Sequence, residues 1–127
     1  MRNGGLWTES RFKSFIISSL RSASNRWGPK FEVKKAARVA RGVYMCAGYN
    51  VPPHEAPASF INEKGQRKNN ITVDHIEPVI DPKKGFISFD EVINRMFCEK
   101  DGLQVLCASC HNNKTADERK IRYDKKE

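Results

Sequence analysis

Cys107 and Cys110 restrict this chain's folding choices more than any other positions. They end a short apolar run, Leu103-Gln104-Val105-Leu106, in a Cys-x-x-Cys pair, and His111 follows at once. A strand closing in that spacing makes half of a tetrahedral zinc site, with Zn–S bonds of about 2.3 Å. Zinc wants four ligands, and the upstream candidate segment reads Cys46-Ala47-Gly48-Tyr49. Tyr49 stands where a second thiolate is expected, and neutral tyrosine is a poor zinc ligand. Cys46 is then the third ligand, and His54 or Cys98 supplies the fourth, unless the site is degenerate and holds no metal. A chain of 127 residues buries only a modest core, so a structural metal is a useful staple. No apolar run approaches the roughly 18 residues of a membrane span, and Arg11 and Lys13 interrupt any signal-like stretch. The expected compartment is the cytoplasm, where four cysteines argue for metal or free thiols over disulfides.

A second segment, Ile71-Thr72-Val73-Asp74-His75-Ile76, is apolar and β-branched and predicts a strand. Asp74 is a hard oxygen ligand suited to Mg²⁺ or Mn²⁺. His75 can take a proton near neutral pH without large tuning. Neighbours on a strand point to opposite faces, so a strand end is needed to bring both to one site. His111 can project from the start of the last helix toward Asp74. Together these segments supply a general base, two ligands for a divalent ion and part of a zinc site, which is the equipment for metal-assisted cleavage of a phosphodiester. Cys107 to His111 also fits the c-type haem attachment pattern, which the lack of an export signal sets aside.

The net charge of +8 is unevenly placed. Residues 1–41 hold ten Lys or Arg against two acids, Glu9 and Glu32, while the remainder is balanced at thirteen of each sign. The whole positive excess therefore lies in the first third, and a polyanion such as DNA is the natural partner. Thr8 can cap a helix running to about Ser24, with Phe12, Phe15, Ile16 and Leu20 on one face. After Trp27-Gly28-Pro29, a second helix is predicted from about Phe31 to Arg41, with Lys34, Lys35, Arg38 and Arg41 in a basic stripe. Residues 50–70 read as a loop. Ser88-Phe89-Asp90-Glu91 has the capping-box pattern and starts a helix with Phe89, Val92, Ile93, Met96 and Phe97 on its apolar face. A last helix from about Ser109 to Arg122 offers Lys114, Arg119, Lys120 and Arg122 to phosphates. The chain divides into a basic helical arm (1–41), a main domain (42–122) and a frayed charged tail (123–127).

The paired segments resemble the HNH endonuclease family. Its pattern is Asp-His-Ile on one strand, then Asn-Leu-Gln-x-Leu-Cys-x-x-Cys-His-x-x-Lys-Thr on a second strand and helix. Here it reads Asp74-His75-Ile76, then Gly102-Leu103-Gln104-Val105-Leu106-Cys107, through Cys110-His111 to Lys114-Thr115. Trp7 to Phe12, Arg21-Ser22-Ala23 and Arg26-Trp27-Gly28-Pro29 are also similar to small phage-encoded HNH proteins. The resemblance implies an α+β fold: a ββα-metal (His-Me finger) module closed by a zinc knuckle, with an N-terminal helical arm. It implies DNA phosphodiester hydrolysis, with His75 as general base and Asp74 and His111 on one divalent ion, Mg²⁺ or Mn²⁺, with Ni²⁺ or Zn²⁺ as alternatives. It also implies host cytoplasm for a phage-encoded chain, and a terminase as a candidate partner. Two positions depart from the pattern. Gly102 replaces the Asn that orients the base, leaving a backbone carbonyl, Asn112 or Asn113 to hold the His75 N–H. Tyr49 replaces a zinc cysteine. A noncatalytic nucleic-acid-binding zinc module with the same fold is the alternative.

Overall fold

A computed structural model describes residues 2–126. The fold is mixed α+β, with four α-helices and three small antiparallel sheets among the described residues. Helix α1 (Glu9–Ser24) begins where Thr8 accepts a hydrogen bond from the Arg11 N–H, which satisfies one of the open donors of the first turn. Helix α2 (Gly28–Ala37) carries Pro29 in its first turn, where the missing N–H costs nothing.

The second helix stops four residues short of Arg41. The chain turns instead into strand β1 (Arg38–Ala40), which folds back on β2 (Val43–Cys46). Gly42, at φ +74°, makes that reversal in a conformation side chains disfavour. Lys34 and Lys35 therefore lie on α2, whereas Arg38 and Arg41 do not, and the expected single basic stripe is broken. Helical periodicity through Ala40 is outweighed here by strand pairing.

Residues 50–70 are also more ordered than their composition predicts. Strand β3 (His54–Pro57) joins β2, and β4 (Ser59–Ile61) pairs with β5 (Arg67–Asn69) in a separate ribbon. Asn62 organises the ribbon's tip, its side-chain oxygen accepting from the N–H groups of Lys64 and Gln66. Such local side-chain bonds replace the hydrophobic alternation that would have marked a strand.

Strand β6 (Ile71–His75) pairs antiparallel with β7 (Leu103–Cys107), setting Asp74 opposite Gln104 and His75 opposite Leu103. Between them lies α3 (Phe89–Met96), whose Ser88 cap accepts from the Glu91 N–H. Val92 and Met96 are buried, whereas Ile93 at the edge of the stripe is exposed. Helix α4 (Ala108–Lys126) follows β7 without a break. It continues beyond Arg122 because Tyr123 to Lys126 contain neither Gly nor Pro to stop it; Glu127 lies outside the described residues.

Two apolar cores hold these elements together. The first gathers Cys46, Ala56, Ile71, Val105, Leu106, Cys107 and Cys110, with Val33 and Ala37 of α2 packed on it. The second gathers Val79, Val92 and Met96 against Ile17 and Leu20 of α1. The basic first 41 residues thus share both cores with the rest of the chain. Trp27 pins the junction: its indole N–H donates to the Cys98 carbonyl at 2.6 Å, and its ring packs edge-on against Phe97. No helix among the described residues is long and apolar enough to cross a membrane.

Candidate metal centre and adjoining cleft

Register brings the first site together. Cys46 ends β2 directly opposite His54 on β3. Cys107 ends β7, and Cys110 lies in the first turn of α4. The three sulfurs and one His54 nitrogen all lie within 4.8 Å of one another. The Pro52 carbonyl can only accept, so His54 donates to it from Nδ1 at 3.0 Å. That bond fixes the tautomer and leaves the Nε2 lone pair facing Cys107 Sγ at 3.6 Å. The N–H groups of Gly48 and Cys107 both donate to Cys46 Sγ, at 3.4 and 3.3 Å.

Cluster electrostatics point the same way. Burial works against ionising Cys107, but the Cys110 N–H, His54 and the neighbouring thiols outweigh it and bring its pKa down to about 7. Burial pushes Cys110 up to about 11. Without a cation the buried cluster resists holding several thiolates at once; a coordinated divalent ion removes that obstacle. Three sulfurs and one imidazole are a zinc donor set, and four protein ligands make a closed, structural site. The cluster could hold a metal ion such as zinc.

The fourth position thus falls to His54, not to Cys98, which lies apart beside Gly102. Tyr49 takes no place in the cluster; its hydroxyl donates to Asp117 on α4 at 2.6 Å. Cys107 and Cys110 are buried among the other ligands, which leaves neither thiol exposed for thioether attachment to haem. Gly48 is the residue that sequence reasoning passed over. Its φ is +82°, and a Cβ there would meet the Val51 carbonyl oxygen at 2.2 Å and that of Pro52 at 2.9 Å. Both contacts are backbone, so no side chain can yield. Gly48→Ala is expected to lower stability by about 3 kcal/mol, with a matching loss of bound zinc. Calorimetry and metal analysis check this, and an unchanged melt would refute the close-approach argument.

Compared with known proteins, the chain matches no family model, no curated protein and no solved structure.

The second site lies at the end of β6. Asp74 Oδ2 takes the Lys114 ammonium at 2.5 Å, and Gln104 donates to the same oxygen at 3.3 Å. Asp74 Oδ1 faces His111 Nε2 at 3.8 Å. Lys114 also donates to the His75 carbonyl and lies 3.6 Å from Glu118. Expected on the phosphate-facing surface, Lys114 is only 8% exposed and braces the strand end from within. Lys35, Arg38, Arg41 and Arg119 are exposed, and the Lys34 amine sits over the Tyr44 ring.

His75 Nε2 lies 2.7 Å from the Met96 carbonyl oxygen, to which it must donate. The tautomer is therefore set, and Nδ1 keeps its lone pair. Burial pushes the His75 pKa below its usual range, only partly offset by the Met96 bond. The imidazole is thus neutral at pH 7 and able to accept a proton. Two adjoining cavities, of about 340 and 250 Å³, are both lined by Arg21, Asp74, His75 and His111. Lys30 lines one and Arg122 the other. Arg122 is one of the cations expected to face phosphates from the last helix, whereas nothing in the sequence separates Arg21 and Lys30 from other surface Lys and Arg.

Gly102 does not leave a gap. Its carbonyl accepts from the Ile76 N–H at 3.0 Å, and a Cβ would meet Cys98 Sγ at 2.9 Å. The space of a larger side chain is already taken by Cys98. Gly102→Asn is therefore expected to destabilise the fold by roughly 1–3 kcal/mol, with part of the loss recovered in the Cys98→Ala double variant. Denaturant titration checks this; a neutral or stabilising Gly102→Asn would show that the pocket is open.

Proposed function

We propose that the protein is a metal-dependent DNA endonuclease of the HNH type, built on a ββα-metal unit formed by β6, β7 and α4. The observation that carries this reading is the shared cleft, in which a neutral, anchored imidazole lies beside a carboxylate and a second imidazole. Asp74 Oδ1 and His111 Nε2 would hold a divalent ion, Mg²⁺ or Mn²⁺, with Ni²⁺ or Zn²⁺ also compatible with the imidazole donor. The donor set fits such an ion: Asp74 and His111 both line the cleft, and Lys114 pairs with the other oxygen of Asp74, Oδ2. When bound, one such ion supplies Lewis-acid stabilisation of charge on the phosphorane and the leaving oxygen.

The remaining steps belong to the chain. His75 Nδ1 accepts a proton from the attacking water while Nε2–H stays on Met96, so the ring cannot turn away during transfer. Arg21 and Lys30, which line the same cavity, offset the charge of an entering phosphate. Lys114 fixes Asp74 by carboxylate and the strand end by backbone, which keeps Oδ1 directed at His111. In this reading the Met96 carbonyl takes over the orienting duty of the family's Asn.

One observation favours a second reading, a noncatalytic DNA-binding zinc module: an ammonium already rests on Asp74, where an ion would need the carboxylate. Plasmid cleavage with metals added singly separates the two readings. Nicking by the parent that is lost in His75→Ala sustains the endonuclease. Binding without cleavage under every metal hands the site to the second reading.

A further inference from the structure

The β4–β5 ribbon stands outside both cores, and neither site uses it. Its strands pair only with each other, and every residue from Glu63 to Asn69 is exposed. Three of these are cations, Lys64, Arg67 and Lys68, against one acid, Glu63. Among the described residues none of the three has an ion-pair partner; Arg67 donates only to the Ser59 hydroxyl across the ribbon, at 2.8 Å. Phe60 lies opposite Lys68, and Ile61 opposite Arg67. Phe60, Ile61, Asn62, Lys64, Gln66 and Lys68 line an open concavity of about 620 Å³ together with Glu63. Cations, amides and apolar side chains are thus mixed on a surface that buries nothing of its own.

The ribbon is also preordered. The Asn62 N–H donates to the Gln66 carbonyl at 2.9 Å, and Gly65 turns at φ +76°. At the base, Asn70 donates to the Pro57 carbonyl and accepts from the Ala108 N–H at the start of α4. The stem therefore connects β3, which carries His54, to β6, which carries Asp74, and is fastened to the helix that carries His111. A ligand held by the ribbon is held at a fixed place relative to the cleft.

We propose that the β4–β5 ribbon is a docking element for duplex DNA, which enters the major groove with Lys64, Arg67 and Lys68 on the flanking phosphates. The inference rests on the reading of the protein as DNA-binding and extends it to a surface and a groove. Two antiparallel strands are the width the major groove admits, and a basic, acid-poor ribbon suits a polyanion better than an apolar partner. Phe60 and Gln66 are the groups placed to meet base edges.

The test is duplex binding by the full-length chain in a His75→Ala background, over a salt series, with and without Lys64→Gln and Lys68→Gln together. The double variant is expected to bind about tenfold more weakly, and the log–log salt slope to fall by about 2, from two lost phosphate contacts. Protection of guanine N7 from dimethyl sulfate, expected with the parent, should disappear. Hydrolysis of bis(p-nitrophenyl) phosphate by the same double variant carrying native His75 should equal that of the parent, since the small ester needs no ribbon. Unchanged affinity and slope would overturn the proposal, even if the ribbon retained an acidic polypeptide such as poly-glutamate. Protection confined to adenine N3, in the minor groove, would overturn it too, as would failure of the parent to bind duplex. A parent that binds through the ribbon but cleaves with no metal would remove the nuclease reading and leave this one standing. Cleavage with a dispensable ribbon would do the reverse.

Discussion

Supercoiled plasmid is expected to become nicked or linear when the protein is supplied with Mg²⁺ or Mn²⁺, and the His75→Ala protein is expected to lose roughly 10²–10⁴-fold of that rate. The size of the loss follows from what His75 contributes. The ring is anchored at one nitrogen by Met96, kept neutral by burial, and placed on the cleft shared with Asp74 and His111. Alanine removes the proton acceptor but neither the cleft cations nor the proposed ion ligands, so DNA binding should survive. His75→Gln is the sharper probe, because its amide can still donate to Met96 while offering no basic nitrogen. A rate retained in either variant would mean that another group takes the proton, and the proposed role of His75 would fall.

Loss of metal from the Cys46, His54, Cys107 and Cys110 cluster is expected to be more damaging still. Structural zinc in small domains contributes on the order of 10–16 kcal/mol to folding, against a total stability of roughly 5–15 kcal/mol for a domain of ordinary size. The cluster's three cysteines lie inside the larger core, with His54 half-buried at the edge, and together they join β2, β3, β7 and α4. Cys110→Ser should therefore abolish the cooperative melt at 37 °C or lower its midpoint by tens of degrees, and the purified parent should carry about one zinc per chain. His54→Ala should be milder, since water can fill one position. A parent that melts identically before and after chelation, with no zinc by atomic absorption, would remove the structural-metal argument altogether.

How much of this was legible depended on whether the signal was local. The Thr8 and Ser88 caps and the strand ending at Cys107 are short-range, and each formed where its residues called for it. Cys46, Cys107 and Cys110 were visible through their residue type, and they do meet. The choice between His54 and Cys98 was not visible, because it depends on cross-strand register. Only the pairing of Cys46 with His54 decides it, across a segment whose Pro52 and Pro53 read as loop. Helix α2 ended early because pairing of β1 with β2 outweighed periodicity. Lys114 is the sharpest case. A lysine on a polar helix is ordinarily solvated, and nothing in the sequence signals that this one is drawn inward by Asp74, Glu118 and a strand-end carbonyl. The Met96 carbonyl that anchors His75 could not have been read from residue types, since any residue there presents the same group.

Cys110 and His111 are adjacent in the chain, yet one is sunk in the core and the other borders the cleft. A single helical turn thus serves two sites back to back, with no intervening segment to absorb error. An imperfect fit among the sulfurs would reach His111 undamped, as a misaimed ring. On the proposed function the two sites cannot be tuned separately: the tolerance at the buried side sets the alignment at the open side. The first turn of α4 is in this sense the protein's common datum, and variation should be scarcer there than either site alone would demand.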